Sequence, residues 1–322
     1  MAQSPQVSVI VATAGRPQLL LECVESILHN DFTDFEIIVV DQDPEQSLER
    51  ELSRMFNDDP RIVYLFLDYA GLSRARNRGV ERARGEILVF ADDDVGVEPG
   101  WLTAYVDAFA TVHPTPGVVA GLLKPLWPSP KPEWLPEERE YLLGIYDKGD
   151  QLTHMPQGDL PIGANFAVIR RVVDDVGGFD ERVGFSHARK ASMIGGEDSL
   201  FSLRAQQAKY SIYYQPRAKA WHKISKTKLT KRHFLRRNFW EGVTTLVVLY
   251  LSGSISSKDF PGTIRWHIRN IVDQLFCFFL RGDGFGVRLL DAKEWMRLGA
   301  TCLHSLGTIC YCLKFLWART IP

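Results

Sequence analysis

Glu86-Ile87-Leu88-Val89-Phe90-Ala91-Asp92-Asp93-Asp94 is the stretch on which the fold turns. The apolar run 87–91 reads as a strand buried on both faces, which is how strands of a parallel sheet look. It stops abruptly at three adjacent carboxylates. In open α/β sheets, ligands bind beyond the carboxyl ends of the strands. Neighbouring carboxylates repel one another and are costly to gather without a cation. Mg²⁺ or Mn²⁺ suits such a place, because either takes one or two carboxylates and completes its shell with phosphate oxygens. A solvated acidic turn is the plainer account of the triplet taken alone.

Working outward, residues 7–12, 35–40 and 62–66 read as further buried strands. Pro17 opens a helix whose apolar positions Leu20, Val24, Ile27 and Leu28 share one face. A second helical stretch runs to about Phe56, and an Arg-rich helix is predicted over 72–83. Strands alternating with helices mean βαβ units and a parallel sheet. Residues 164–170 and 212–221 are predicted as additional strands. Between them, residues 125–136 hold five prolines and two tryptophans. That composition predicts an irregular loop over a cleft, or a surface connector. The α/β pattern ends near His222. The expected division is a domain over 1–222, with a ligand-binding half to about 95 and a second half over 96–222, followed by a basic, amphipathic helical region over 223–322.

The chain has 322 residues, 45% of them hydrophobic and 24% charged, with a net charge of −1. This excludes a disordered polymer and gives no drive toward nucleic acid. Cys23, Cys277, Cys302, Cys310 and Cys312 are expected to be reduced thiols, since neither their number nor their spacing suggests a disulfide or zinc framework. No basic segment followed by an apolar one opens the chain, so a cytoplasmic location is expected. Residues 223–237 contain seven Lys or Arg and no acid. Residues 298–313 are sixteen positions without Asp, Glu, Lys or Arg. That falls short of the ~20 apolar residues that cross a bilayer. A helix lying in the membrane interface beside a basic stretch is the expectation, with peripheral attachment to the inner face. A helical subdomain or a dimer interface is the alternative.

Several clusters carry chemistry. The first strand ends in Thr13-Ala14-Gly15-Arg16 and the second in Asp41-Gln42-Asp43. Carboxylates at such an edge can accept from a ribose or a base N–H. The absence of Gly-x-Gly-x-x-Gly after the first strand argues against a dinucleotide. Arg74, Arg76 and Arg78 alternate, so a helix cannot place all three on one face. Arg76-Asn77 is assigned to the ligand side. Gly195-Gly196-Glu197-Asp198 opens another helix, where Asp198 can act as a helix cap or as a general base taking a proton from a hydroxyl. His222 closes the last strand, 24 residues beyond Asp198, and can return to the edge that carries the aspartates.

Taken together, these pieces resemble the family 2 glycosyltransferases. The matching segments, in order, are Val7-Ser8-Val9-Ile10-Val11 with Thr13 and Arg16; Ile37-Ile38-Val39-Val40-Asp41; Ser73-x-Ala75-Arg76-Asn77-x-Gly79; and Asp92-Asp93-Asp94. They continue with Gly163-Ala164-Asn165-Phe166-Ala167, Val176-Gly177-Gly178-Phe179-Asp180-Glu181, Gly196-Glu197-Asp198, and Tyr214-x-Pro216-x-Ala218 leading to His222. The resemblance covers about two thirds of the chain. It implies the GT-A fold, a Rossmann-like, mostly parallel sheet flanked by helices, here with a C-terminal helical segment. It also implies an inverting, metal-dependent transfer of sugar from a nucleotide-diphosphate donor, UDP-linked by expectation, to a hydroxyl acceptor that can be a lipid-linked glycan. On this basis Thr13, Arg16, Asp41, Asp43, Arg76, Asn77, Asp92, Asp93 and Asn165 would serve the nucleotide sugar. Asp94, with Asp92 and His222, would hold Mn²⁺ or Mg²⁺. Asp198 would be the base, and Glu197 would orient the acceptor or sugar. Asp41-Gln42-Asp43-Pro44 departs from the commoner Asp-Asn/Asp-Gly-Ser. A nucleotidyltransferase would need a longer Gly-rich phosphate loop than Thr13-Ala14-Gly15-Arg16. A processive synthase would be expected to carry spanning helices and a Gln-x-x-Arg-Trp motif, and neither is found. A non-catalytic partner would have lost the base or the metal ligands, which Asp198, Asp94 and His222 preserve.

Overall fold

The computed structural model describes residues 4–45, 48–68, 70–185, 193–280 and 291–318, the side chains of 276–280 and 318 excepted. The first half is built from β1 (Val7–Thr13), α1 (Pro17–Leu28), β2 (Phe35–Asp41), α2 (Leu48–Phe56), β3 (Ile62–Phe66), α3 (Leu72–Arg82) and β4 (Ile87–Asp92). Then follow β5 (Val95–Val97), α4 (Trp101–Thr111), β6 (Val118–Leu126), β7 (Thr153–Met155), β8 (Asn165–Ile169), α5 (Arg170–Val176), α6 (Glu197–Gln207) and β9 (Ile212–Lys223). The last part is helical: α7 (Lys231–Leu251), α8 (Phe260–Leu280) and α9 (Ala292–Ala318).

Among the described residues the strands form one sheet in the order β3-β2-β1-β4-β8-β6-β9-β5, with β7 beside β9. β3, β2, β1 and β4 are parallel, as are β6 and β9, while β8 runs antiparallel to both its neighbours. All residues of β1 and β2 are buried, so these strands carry no polar–apolar alternation. α1 starts at Pro17 and buries Leu20, Leu21, Cys23, Val24 and Ile27. α3 comes close enough to β1 that a Cβ on Gly79 would stand 2.4 Å from Ile10 Cγ2.

Three expectations change. β5, β6 and β7 were not read from the sequence, being short or lacking a regular pattern. β6 continues through Pro125 into the stretch predicted to be irregular. There Pro125 and Leu126 stay in register with His222 and Lys223 of β9. The chain also divides into two compact units in a way that a single cut at 222 does not describe. Counting their described residues, one is Met1–Leu126, Gly144–Lys190 and Glu197–Lys223, and the other is Trp127–Leu143, Ala191–Gly196 and Ile224–Pro322.

The second unit has its own interior. Trp134 packs edge-on to Phe234, and Glu137 and Glu138 pair with Lys293 and Arg297, which ties the Pro/Trp segment to α7 and α9. Gly299 faces Leu235, Gly242 faces the His304 carbonyl, and Tyr250 meets Phe315, so α7 and α9 run side by side in the same direction. A Cβ on Gly242 would lie 1.9 Å from His304 O, and one on Gly307 would lie 2.0 Å from Phe239 O. The two backbones touch at these glycines, and Thr308 Oγ1 donates to Gly242 O at 3.0 Å. Among the described residues, no helix is long and apolar enough to cross a membrane.

Candidate functional site

The sheet register assembles the site. Thr13 lies opposite Asp41 and Ala12 opposite Asp92, so the carboxyl ends of β1, β2 and β4 finish in one row. After the acidic turn the chain enters β5, where Val95 pairs with His222 of β9, and Lys223 N donates to Asp94 O at 2.9 Å. This pairing returns His222 to the triplet, with Nε2 3.4 Å from Asp94 Oδ1. β8 begins at Asn165 opposite Ala91, which sets Gly163 beside the end of β4.

The charge of the triplet is answered first by arginine. Arg16 pairs with Asp93 and, at 3.0 Å, with Asp94, and its side chain is 43% exposed. Arg76 is 2% exposed. It donates to Glu197 Oε1 at 2.7 Å, to Asp92 Oδ1 at 3.1 Å and to Gly163 O at 2.9 Å. Burial opposes the Arg76 charge, but Glu197, Asp92 and Asp198 outweigh it and raise its pKa. Glu197 is held well above the ordinary carboxyl range by burial and by the Asp198 charge, with Arg76 opposing. Asp198 remains partly exposed at the first turn of α6. It accepts from Gly163 N at 2.6 Å and from Ser199 N at 2.7 Å. Gly163 therefore serves the base candidate with its N–H and Arg76 with its carbonyl. A Cβ there would stand 2.8 Å from Asp198 Oδ2 and 3.0 Å from both Arg76 terminal nitrogens.

Several residues assigned to the ligand have partners within the fold. Asp93 is fully buried, accepts from Thr13 Oγ1 at 2.6 Å, and is pushed up to about 6 by burial. Thr13 is correspondingly inside. Asp41 is buried, accepting from Tyr64 Oη at 2.9 Å and from Asp43 N at 2.9 Å. Asp43, half-buried, accepts in turn from Glu45 N. Asn77 clasps the turn after α5, donating to Phe179 O and accepting from Phe179 N. Gly178 lies directly against it. Asn165, expected beside the donor sugar, is 2% exposed with all its polar capacity spent in the core. Its oxygen accepts from Trp101 Nε1 and Tyr105 Oη, and its nitrogen donates to Leu122 O and Ala218 O. Among the described residues, Arg16, Asp43, Asp92 and Asp198 combine charge with partial exposure at this edge, and Asp94 is buried beside them.

The donor set accommodates a divalent cation at one point. His222 is buried, its Nδ1 has no hydrogen-bond partner among the described residues, and its Nε2 faces Asp94. An imidazole with a carboxylate suits Mn²⁺ as well as Mg²⁺. Asp92, expected as a further ligand, accepts from Arg76 through Oδ1 at 3.1 Å. Among the described residues no three His, Cys, Asp or Glu side chains converge as a ready-made metal site. Asp94 and His222 can thus supply part of a coordination shell that phosphate oxygens and water would complete. Gly144, not among the residues expected at the site, has φ of +74°, and a Cβ there would stand 2.8 Å from His222 Nδ1. A glycine two places before Tyr146, ahead of a bridge to β6, was the available signal.

Known proteins place this arrangement. The chain is 28% identical over 247 residues to the glucosyl-dolichyl phosphate glucuronosyltransferase of Haloferax volcanii, covering 76% of this chain and 77% of that one. It is 39% identical over 93 residues to the GalNAc(5)-diNAcBac-PP-undecaprenol beta-1,3-glucosyltransferase of Campylobacter jejuni, a match that spans 28% of this chain and 30% of the relative. Its fold is that of the mannosyltransferase PcManGT from Pyrobaculum calidifontis, solved with GDP-Man and Mn²⁺. The TM-score is 0.65 at 18% identity, over 99% of this chain and 89% of that one. The Glycosyl transferase family 2 domain matches residues 8–177, more than half of the chain. A mixed sheet with an acidic turn at its carboxyl edge, the ordered motifs that surround it and this match make the chain a family 2 glycosyltransferase.

Proposed function

We propose that the chain is an inverting, metal-dependent glycosyltransferase that moves a sugar from a nucleoside-diphosphate sugar to a hydroxyl of a lipid-linked glycan, as a peripheral protein on the inner face of a membrane. The observation that carries the reading is the single frame of Gly163, Arg76 and Glu197, from which both Asp198 and Asp92 are hung. A proton acceptor and the acidic turn are thereby tied to one rigid support, which is what positioning for group transfer requires. The lipid-linked acceptor is suggested by the activities for which the Haloferax and Campylobacter relatives are named.

In this reading Asp198 takes the proton of the acceptor hydroxyl as its oxygen attacks the anomeric carbon. The bond from that carbon to the diphosphate oxygen breaks, and the nucleoside diphosphate departs with the electron pair. One displacement inverts the anomeric configuration. Asp94 and His222 would hold Mn²⁺ or Mg²⁺, which when bound supplies positive charge to the departing diphosphate. Arg16, half in solvent, is free to exchange Asp94 for a phosphate oxygen, while Arg76 stays buried and keeps Asp92 and Glu197 in place. Glu197 acts as a positioning residue rather than as a sugar contact.

The test is a panel of nucleotide sugars, UDP-linked donors first, incubated with purified protein, polyprenyl-phosphate-linked acceptors and Mn²⁺ or Mg²⁺, scored for released nucleoside diphosphate. The expected result is metal-dependent release from one donor, reduced by about 10²–10⁴-fold in Asp198→Asn. No binding of any donor, with no release, would overturn the reading.

A further inference from the structure

The second unit carries an exposed apolar surface. Trp295, Leu306, Leu313, Leu316 and Trp317 of α9 are 53%, 41%, 52%, 44% and 91% exposed. At 100° per residue they fall within an arc of about 100°, and the stripe from Trp295 to Trp317 is about 33 Å long. Leu298, Cys302 and Ile309 lie in the same arc, Cys310 stands just beyond its edge, and no charged residue enters it. The opposite side of α9, with Met296, Ala300, Ser305, Thr308 and Cys312, is buried against its neighbours. α8 presents Ile268, Val272 and Leu275, also exposed and one helical turn apart, with Arg265 and Arg269 beside them.

We infer that the exposed stripe of α9 docks this unit flat onto an anionic lipid surface. A tryptophan closes each end of the stripe, and Trp is favoured at the headgroup boundary, where its ring is apolar and its N–H stays wet. The surrounding charge complements acidic headgroups. Lys314 is exposed at the flank of the stripe, and Lys231 and Arg232 are exposed at the start of α7. Leu235 lies against Gly299, so those cations stand beside the Trp295 end of the helix. The chain from Ile224 to Tyr250 contains one acid, Glu241, and that acid is paired with Arg237. A helix with a broad apolar face and cations near both ends, yet not apolar enough to cross a bilayer, lies in the interface rather than across it. The inference rests on the lipid-linked acceptor reading for its purpose, since a surface-docked enzyme meets such an acceptor in two dimensions.

The experiment is sedimentation of the full chain with vesicles of phosphatidylcholine alone or with one third phosphatidylglycerol, followed by tryptophan emission. No donor or acceptor is added. The expected result is binding favoured by the anionic vesicles with a blue shift of emission. Binding by the Leu306→Glu/Leu313→Glu variant should weaken at least tenfold with an unchanged melting temperature. Trp317→Ala, which removes a ring almost wholly outside the fold, should weaken binding several-fold and reduce the shift. No binding by the unmodified chain would overturn the inference, as would binding that the variants leave unchanged. A chain that is dimeric in solution, becomes monomeric in the double variant and ignores vesicles would also overturn it, and would assign the stripe to a second copy. Vesicle binding by a chain that binds no donor in the nucleotide-sugar panel would sink the transfer reading and leave this one standing.

Discussion

Asn165 shows how a residue type can point to a ligand while its environment assigns it elsewhere. An asparagine after a glycine at a strand start is free to face a sugar, but here four neighbours from α4, β6 and β9 use all its hydrogen-bonding capacity. Replacing it by leucine leaves the Trp101 and Tyr105 donors and two carbonyls buried without partners, each at a cost of about 1–3 kcal/mol. Asn165→Leu should therefore lower thermal stability by ~3 kcal/mol or more, while the folded fraction keeps its donor KM. A donor-contacting asparagine would raise KM instead. Asp198 differs because its carboxylate keeps a partly exposed position while two backbone amides orient it. Its removal should act on kcat and not on unfolding.

At the scale of elements, the turn after α5 closes on charge. Asp180 accepts from both Arg182 and Arg204, which fastens α6 to the turn. Hydrogen bonds from Arg182, opposed by burial and helped by Arg204, hold the Asp180 carboxyl far below its ordinary range. A depressed acid stabilises the fold above its unfolded-state pKa, and that contribution is lost as pH falls. Arg182 is more than half exposed, so solvent screens part of the effect. Asp180→Asn should cost about 1 kcal/mol at neutral pH in denaturant titrations, and the gap from the parent should narrow between about pH 4 and pH 2. The α7–α9 contact is steric instead. Gly242→Ala places a methyl 1.9 Å from a carbonyl oxygen that belongs to helix backbone, so the helices must separate. The expected destabilisation is about 3 kcal/mol, read by thermal unfolding.

At the scale of the whole molecule, two units with separate interiors imply two responses. Calorimetry should resolve an unfolding transition that rises with nucleoside diphosphate and Mn²⁺, by ~2.7 kcal/mol at a hundred times the Kd. Gly242→Ala should lower the other transition and leave that ligand response intact. The sequence alone determined the α/β class, the strands β1 to β4, the acidic edge and the order of motifs that marks the family, because these are local: runs of apolar residues, a proline at a helix start, carboxylates at a strand end. It also pointed to the basic and apolar character of the C-terminal third. Only the tertiary structure decided which polar residues face the edge and which brace it, since Asn77, Asp93 and Asn165 are spent on partners 43 or more residues distant. It alone grouped the Pro/Trp segment with α7 and α9, through ring packing and ion pairs that no local pattern records. And it alone separated the buried face of α9 from the exposed one, because helical periodicity shows a stripe but not what covers it.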